Sequence, residues 1–319
     1  MFISSVYVAG RCIGCKPKPP STDYSSNKLV SKDVNDALPS SLGRKIVKAY
    51  QYGDDALFVK AIGTDADSEL HTNGFTIDVA FVGKSKRGLP CRHILKNQSK
   101  SRSMLLNSIK LIDNQKLILG VADGVGGWWR RGIDPGVYSS RLIEHIALSN
   151  GTTPLEMICD GYNKTDKVAS STICVATIDK RSLRWANLGD SGLRVIRKNK
   201  FVVKTEEQQY TFNHPYQLGR HSSNRPNDCD YGEYLLAKGD IVIMATDGLF
   251  DNLDDAELIS LINVDETAKA IAQRLFNQAL NNSLNETKTS PFGIRAKAWG
   301  ITHQGGKKDD IAAVVVVIK

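Results

Sequence analysis

Residues 117–129, LILGVADGVGGWW, join an apolar run to a single acid that is followed by glycines. The run 117–122 has the composition of a buried β-strand. A strand that leaves the core has no structural need for a carboxylate, yet Asp123 stands at its end. Gly124 follows at once, and a glycine permits an unusually close approach of the backbone. The stretch therefore predicts a buried strand that ends in a functional acid.

Other acids stand at the ends of strand-like runs in the same way. They occur in YGDDALF, ANLGDSG, VIMATDGLFD and GGKKDDIAAVVVV, and they are Asp54, Asp55, Asp190, Asp247, Asp251, Asp309 and Asp310. Taken singly, an Asp-Gly pair is most often a turn. Repetition at several strand ends favours a carboxylate cluster, whose members repel one another unless cations are bound. Because Mg²⁺ and Mn²⁺ take oxygen ligands, the pattern predicts a divalent-metal site.

The remaining segments indicate one α+β domain. Short β-rich runs between residues 171 and 204 are joined by polar turns and predict an antiparallel meander. Residues 240–246 and 311–318 predict two further buried strands. Residues 134–150 begin with an Asp cap and a Pro and predict an amphipathic helix, and two more amphipathic segments follow residue 253. Antiparallel strands with helices packed outside them are typical of this class.

Two segments stand apart from this pattern. Residues 1–48 are rich in Ser, Lys, Asn and Pro and are predicted to be an N-terminal extension, which leaves residues 49–319 as the folded domain. Within that domain, residues 63–112 are polar and basic and show no clear element. A stretch of that length without an assigned element predicts an insertion or a mobile loop.

The net charge of +8 comes from part of that insertion. Residues 84–110 hold eight Lys or Arg and no acid, and the rest of the chain carries 34 basic and 34 acidic residues. A basic tract of this kind is usually a solvated loop, so no nucleic-acid partner is expected. Contact of the tract with RNA, anionic lipid or an acidic protein stays open as the alternative.

Composition also limits the compartment and the assembly. Six cysteines are few for a disulfide scaffold of 319 residues and fit a reducing compartment. No apolar run reaches the ~18–20 residues that a membrane helix requires. The expected state is a monomer without a membrane span.

The first 22 residues predict a location. They contain Arg11, Lys16 and Lys18 without any acid, and they are rich in serine. This composition is typical of a mitochondrial transit peptide, and the long apolar core of a secretory signal is lacking. The predicted location is the mitochondrial matrix, with the cytoplasm as the alternative.

In their order along the chain, five motifs resemble those of the metal-dependent type 2C (PPM) protein serine/threonine phosphatases. They are Y-G-D-D-A, V-A-D-G-V-G-G-W, N-L-G-D-S-G, A-T-D-G-L-F-D-N and G-G-K-x-D-D-I. The likeness covers about residues 49–60 and 117–319, and it is greatest to the mitochondrial branch linked to coenzyme Q biosynthesis. It implies two packed antiparallel β-sheets flanked by helices, in agreement with the predicted meander.

The resemblance also implies a reaction. Enzymes of this family hydrolyse phosphoserine and phosphothreonine in phosphoproteins by attack of a water that bridges two divalent cations. The implied cofactors are Mn²⁺ or Mg²⁺, two or more per chain. Carried over by position, Asp123 is similar to the acid that bridges both ions, and Asp247 and Asp309 to the other direct ligands of the first ion. These three acids form the implied catalytic set.

The same resemblance assigns the remaining candidates. Gly124 is similar to a residue that ligates through its backbone carbonyl, which accounts for a glycine beside the bridging acid. Asp54 and Asp55 resemble acids that hold the second ion, largely through water. Asp190 and Asp251 resemble acids of an outer shell or of a third ion.

Two positions depart from the family pattern. Many relatives have a histidine, proposed to protonate the leaving oxygen, where this chain has Val125. Many also have a phosphate-binding arginine where this chain has Tyr50. Lys48, Arg130 and Arg131 are near in sequence and are candidates to replace that arginine, with solvation as their alternative role. The departures keep a second hypothesis open, a catalytically weak or inactive binding protein with the phosphatase fold.

A dinucleotide-binding loop is the other hypothesis that GVGGWW raises. Its fingerprint requires a third glycine for close helix packing, and that place is taken by Trp129. This reading is therefore rejected.

Overall fold

The structure is a computed structural model that describes residues 45–63, 76–95, 98–99, 104–112 and 116–319. Within these ranges the strands are, in chain order, β1 (Lys45–Tyr52), β2 (Asp55–Ile62), β3 (Thr76–Lys84), β4 (Arg92–His93), β5 (Gln98–Ser99), β6 (Met104–Ile112), β7 (Lys116–Asp123), β8 (Ile173–Asp179), β9 (Ser182–Leu188), β10 (Gly192–Arg197), β11 (Lys200–Lys204), β12 (Gln209–Thr211), β13 (His214–Pro215), β14 (Asp230–Leu235), β15 (Ile241–Ala245) and β16 (Ile311–Ile318).

Helices connect these strands. They are α1 (Pro135–Ala147), α2 (Pro154–Lys164), α3 (Asp247–Phe250), α4 (Asp255–Ser260), α5 (Ala268–Leu284) and α6 (Pro291–Ala298), with 3₁₀ turns at Gly126–Arg131 and Pro226–Asp228. The predicted Asp cap is present, because the Asp134 carboxylate accepts a hydrogen bond from Gly136 N at 2.9 Å. In the described part of the chain, none of the helices has the length and apolar character needed to cross a membrane.

Two antiparallel sheets form the centre of the fold. The first has eight strands in the order β14-β9-β8-β7-β2-β1-β4-β5, and the second has six in the order β11-β10-β15-β16-β3-β6. Leu57, Leu119, Phe81 and Val314 are among the buried side chains of the cluster that fills the space between the sheets. The predicted fold class, two packed antiparallel sheets flanked by helices, is confirmed.

Helices cover the outer face of each sheet. Phe58 and Ile118 of the first sheet pack with Tyr138 of α1 and Ile158 of α2. On the other side, α5 packs on the second sheet through a separate cluster of buried side chains. The layers are therefore helix, sheet, sheet and helix, and each sheet is buried on both faces.

The predicted meander is wrong in its connectivity. β8 and β9 form a hairpin in the first sheet, whereas β10 and β11 form a hairpin in the second. The chain passes between the sheets at residues 189–191, within the NLGDSG motif. Alternation with a period of two residues identifies strands but not the sheet to which each strand belongs, because both sheets are buried on both faces.

Residues 63–112 were predicted to be an insertion or mobile loop, and the structure corrects this. β3 pairs along its whole length with β16, and β6 pairs along its whole length with β3. The strands were missed because the polar residues that flank them hide two apolar runs. The domain also begins before residue 49, since β1 starts at Lys45. The predicted targeting segment lies almost wholly outside the described residues.

Candidate active site

The candidate acids lie at one end of the sandwich, where strands of both sheets begin or end. Asp54 and Asp55 stand at the start of β2, and Asp123 ends β7 in the first sheet. From the second sheet, Asp247 and Asp251 follow β15 and Asp309 precedes β16. Asp190 lies in the crossover between the sheets. The structure thus brings together the acids that the sequence singled out.

A cleft of about 270 Å³ opens at this end of the sandwich. Of the eight predicted site residues, five line it: Asp123, Gly124, Asp190, Asp247 and Asp309. The other three, Asp54, Asp55 and Asp251, lie beside the cleft and are joined to it by hydrogen bonds and ion pairs. No histidine is among the described residues that line the cleft.

Asp55 and Asp123 face each other across two paired strands. They are direct partners in the register of β2 and β7, and Asp55 is buried. The hydroxyl of Thr246, which follows β15, donates a hydrogen bond to Asp55 Oδ2 at 2.8 Å. This bond connects the acid pair of the first sheet to the second sheet.

Asp310 holds the loop that carries Asp54, a role the sequence did not reveal. Its two carboxylate oxygens accept hydrogen bonds from Asp54 N at 2.7 Å and from Lys86 N at 2.6 Å. Gly53 adopts a φ of +69°, and a Cβ there would lie 2.5 Å from Asp310 Oδ2. The turn therefore requires a glycine, both for its left-handed conformation and for space.

The structure also explains why residue 124 is a glycine. A Cβ at this position would lie 2.7 Å from Pro135 O and 2.8 Å from Asp54 O. Its own N–H donates to Asp54 O at 3.0 Å, so the backbone after β7 packs directly on the loop before β2. The close approach inferred from the sequence is thus an approach of backbone to backbone in this structure.

Lys307 is the central cation of the site. Its ammonium group contacts Asp247, lies 2.6 Å from Asp251 Oδ2 and lies 3.1 Å from Asp309 Oδ2. Arg295 forms a further ion pair with Asp251. The lysine belongs to the GGKKDD motif, but the spacing of that motif gave no sign that it points into the acids.

Lys86 and Arg87 come from the basic tract, on the loop after β3. Lys86 Nζ lies 2.7 Å from Asp309 Oδ1 and 3.8 Å from Asp54 Oδ2. Arg87 lies 2.6 Å from Asp54 Oδ1 and stacks 4.2 Å over the ring of Trp129. The prediction that this tract is a solvated loop is therefore wrong at these two residues, which belong to the site.

Burial and charge shift the acids away from their ordinary behaviour. Burial first, and then neighbouring carboxylates, raise the pKa of Asp55, Asp123 and Asp190 well above its usual range. Burial raises the pKa of Asp251 to about 7 even though Lys307 opposes the shift. At Asp309 burial acts in the same direction, but the ammonium groups of Lys307 and Lys86 outweigh it and lower the pKa.

The donor set fits divalent cations. All the candidate side-chain ligands are carboxylates, which suit hard ions such as Mg²⁺ and Mn²⁺. Asp190 Oδ1 and Asp247 Oδ1 are buried, and neither has a hydrogen-bond partner in the described part of the chain. Buried oxygens without a partner are costly, and a cation satisfies them.

Two ammonium groups lie among the acids of the site. Within the described ranges, no three or more His, Cys, Asp or Glu side chains are grouped as a ready-made metal site. Lys307 and Lys86 lie between the carboxylates and supply positive charge there. A cation bound at these acids would compete with the two ammonium groups for the carboxylate oxygens.

The two departures from the family pattern have different structural settings. Val125 is half-buried and lines the cleft next to Asp123. Tyr50 is a core residue, with its ring stacked on Phe81 at 5.5 Å and edge-on to His93 at 4.7 Å. A side chain packed in this way does not reach a phosphate in the cleft.

The predicted replacements for the missing arginine do not line the cleft. Lys48 Nζ lies 5.9 Å from the centre of the Phe81 ring, and Arg131 stacks 5.2 Å over Trp128. Arg130 is exposed. The basic residues that do line the cleft are Lys86 and Lys307.

Comparison with known proteins agrees with this fold. The model of the stage II sporulation protein E (SpoIIE) family matches residues 115–319. The protein phosphatase PTC7 homolog fig of Drosophila willistoni is 35% identical over 229 residues, which cover 63% of this chain and 73% of that protein. The PTC7 homolog of Xenopus laevis is 36% identical over 227 residues, covering 63% and 76%.

Solved structures show the same similarity. The photosystem II phosphatase PBCP superimposes with a TM-score of 0.60 at 30% identity, over 63% of this chain and 87% of that one. The catalytic domain of the phosphatase PstP, solved with two manganese ions, has a TM-score of 0.50 at 16% identity, over 76% and 99%, and shows the shared fold.

Fold, site and relatives define the class as protein phosphatases of the type 2C kind. The matched residues 115–319 include the crossover between the sheets and the acids Asp123, Asp190, Asp247, Asp251 and Asp309. The chain belongs to the PPM (type 2C) protein phosphatase family, and its relatives at about 35% identity are PTC7 homologues.

Proposed function

We propose that this phosphatase hydrolyses phosphoserine and phosphothreonine in proteins with the help of two divalent cations, Mn²⁺ or Mg²⁺. One observation carries the proposal: carboxylates from both sheets converge on one cleft, in which two buried carboxylate oxygens have no hydrogen-bond partner among the described residues. When bound, the cations supply Lewis-acid activation of a water and neutralise charge on the phosphoryl group.

The ligands follow from position in the cleft. Asp123, Asp247 and Asp309 are the proposed direct ligands, with the carbonyl of Gly124 beside them. Asp54, Asp55, Asp190 and Asp251 hold the remaining ion positions or orient the water around them. Asp310 does not ligate but keeps Asp54 in place through the hydrogen bond to its N–H.

When ions are bound at the acids, the displaced lysines Lys86 and Lys307 are available to bind the phosphoryl group. An ammonium group moved away from a carboxylate is free to contact the phosphoryl oxygens, and Lys86 is the better placed because it lies on an exposed loop at the edge of the cleft. We assign it the phosphate-binding role that Tyr50 does not fill. Since no histidine is among the described residues of the lining, the proton for the leaving serine oxygen comes from water or from a lysine ammonium.

The deciding experiment is a phosphatase assay on a phosphoserine peptide with purified full-length protein. Turnover with Mn²⁺ should be lost in excess EDTA and in the Asp123→Asn and Asp247→Asn variants. The control is Asp179→Asn, an exposed acid at the far end of β8. Turnover that persists in EDTA contradicts the metal mechanism, and no turnover despite bound Mn²⁺ supports the inactive binding protein instead.

We also propose a monomeric enzyme of the mitochondrial matrix. The support is the acid-free composition of the first 22 residues and the resemblance to the branch linked to coenzyme Q biosynthesis. Fusion of residues 1–48 to a fluorescent reporter tests import, and a diffuse cytosolic signal contradicts it. Light scattering coupled to size-exclusion chromatography tests the assembly.

A further inference from the structure

A second recess lies beside the catalytic cleft. It has a volume of about 200 Å³, and Trp128, Tyr210, His214 and His221 are among its lining residues. The cleft and the recess share a wall, since Gly127 lines the cleft and the next residue, Trp128, lines the recess. On the opposite side Asn213 and Pro215 line the cleft while His214 lines the recess. The recess is therefore within reach of a substrate chain whose phosphate lies in the cleft.

Hydrogen bonds fix the wall of the recess. Trp128 Nε1 donates to Ser170 Oγ at 2.6 Å, and Ser170 Oγ donates to Gln217 Oε1. Gln217 is held in turn by Nε2 donating to Pro215 O at 3.2 Å and by its N–H donating to Asn224 Oδ1 at 3.1 Å. The lining is thus a connected polar network that keeps its shape when a ligand arrives.

The recess and the cleft differ in charge. Four carboxylates line the cleft, whereas among the described residues none lines the recess. The recess presents two imidazoles, each of which can donate a hydrogen bond. The hydroxyls of Tyr210 and Ser223 bond each other at 2.8 Å, which leaves one O–H of the pair for a ligand, whereas the Ser222 hydroxyl donates to Gln217 O at 2.6 Å. These donors favour an anionic ligand, and the absence of acids removes the repulsion that the cleft would exert.

We propose that this recess binds a carboxylate or a phosphate carried by a substrate residue near the scissile phosphoserine or phosphothreonine. The inference rests on the proposed function, because it places the phosphorylated residue in the cleft. It makes the enzyme selective for acidic or multiply phosphorylated segments.

The test compares phosphoserine peptides with alanine flanks in which one residue is replaced. Replacement covers about four positions on either side, a reach of roughly 13 Å at ~3.3 Å per residue. Each position carries Asp, Lys, or a non-hydrolysable phosphonate analogue of phosphoserine. At one or two positions on one side, Asp should raise kcat/KM by roughly threefold to fivefold over Ala, as for exposed ion pairs, and Lys should lower it.

The two anion sources are separated by the size of the effect. A phosphonate preference clearly above that of Asp identifies a phosphate subsite, and equal preferences identify a general acidic subsite. Either preference should weaken at high salt, because partly exposed charges are screened.

Substitutions in the recess test whether the preference for acidic neighbours arises there. The double substitution His214→Ala with His221→Ala and, separately, Ser223→Asp should reduce the preference to about one while 4-nitrophenyl phosphate is turned over at the wild-type rate. Lys238→Gln, an exposed lysine before β15 and distant from the cleft, is the control and should keep the preference. No acid preference at any position, or an unchanged preference in both variants, overturns the proposal.

Turnover of 4-nitrophenyl phosphate with Mn²⁺ reports the proposed function separately, since this substrate has no flanking residue. If it fails, binding of the phosphonate peptide is measured by fluorescence anisotropy. Tighter binding to the wild-type protein than to the double variant then supports the recess, and equal binding overturns it.

Discussion

Asp55 on β2 lies directly opposite Asp123 on β7, so two acids face each other at the end of an antiparallel strand pair. Burial and the surrounding carboxylates raise the pKa of both. The metal-free protein therefore keeps a repulsive arrangement that costs folding free energy whenever the acids are ionised.

The first prediction concerns pH. Acids with a raised pKa in the folded protein bind more protons than in the unfolded chain, so stability falls as pH rises through the folded pKa. Asp310 and Asp251, at about 6 and about 7, place this loss between about pH 4, the ordinary carboxyl pKa, and about pH 7. In EDTA, urea should unfold the protein more easily at the upper end of this range. A stability in EDTA that stays level or increases with pH contradicts the account.

The second prediction concerns Lys307. Lys307→Met removes the ammonium shared by two buried acids, Asp247 and Asp251, and the partly buried Asp309, which should lower the free energy of unfolding in EDTA by about 3 kcal/mol. The same variant should bind Mn²⁺ more tightly, on the order of tenfold, because a competing positive charge is gone. Urea titration and calorimetry of Mn²⁺ binding measure the two effects. Lys308→Met, at an exposed neighbour, is the control, and weaker Mn²⁺ binding in Lys307→Met would show that the lysine assists the ions.

The third prediction concerns Lys86. If this lysine holds the phosphoryl group, Lys86→Met should raise the inhibition constant of inorganic phosphate and the KM for a phosphopeptide by roughly tenfold, as expected for a charged hydrogen bond. Lys86→Arg should restore most of the loss. Mn²⁺ affinity should not fall in either variant, and a fall would assign the residue to ion binding instead.

The fourth prediction concerns Asp310. In Asp310→Asn an NH₂ group replaces one of the two carboxylate oxygens. Because that group cannot accept a hydrogen bond, the backbone N–H of either Asp54 or Lys86 loses its acceptor. The unfolding free energy should drop by about 1–3 kcal/mol, the cost of an unsatisfied buried donor. Denaturant titration measures this, with Asp265→Asn at an exposed position as the control. Equal stability of the two variants would mean that the loop is held by other contacts.

The fifth prediction concerns Val125. Its side chain lines the cleft, so Val125→His places a proton donor beside Asp123. Turnover of phosphoserine peptides should rise by up to about tenfold, a small share of the ~10²–10⁴ of general-acid catalysis. Turnover of 4-nitrophenyl phosphate should hardly change, because its leaving group needs no proton. Val125→Ala is the control, and an equal change on both substrates in a folded variant argues against leaving-group protonation here.

The sequence predicted the acids well and their counter-ions poorly. Asp123 and Asp247 follow apolar strands and precede glycines, a local pattern that needs no knowledge of the partner strands. Lys86 and Lys307 carry no such pattern, because their roles depend on which strands meet in space. A lysine in a polar loop looks the same in sequence whether it faces solvent or acids.

The sequence also did not predict which strands pair with one another in each sheet. β16 is buried on both faces and needs neighbours on both edges, which are β15 and β3. Nothing local in IAAVVVVI indicates that one of these neighbours is supplied from residues 76–84, more than two hundred positions earlier. Pairings at such separation are set by the packing of the whole fold rather than by local propensity.

The crossover at residues 189–191 has a mechanical consequence. The described cysteines form no disulfide, so none among them ties the two sheets together. In the proposed mechanism, Asp123 of the first sheet and Asp247 of the second hold the same ions, which would add a link between two sheets that already share a core and the hydrogen bond from Thr246 to Asp55. A partner or substitution that shifts one sheet relative to the other would then change the distance between these ligands without contacting them. Under that mechanism, catalysis depends on the alignment of the two sheets rather than on one loop.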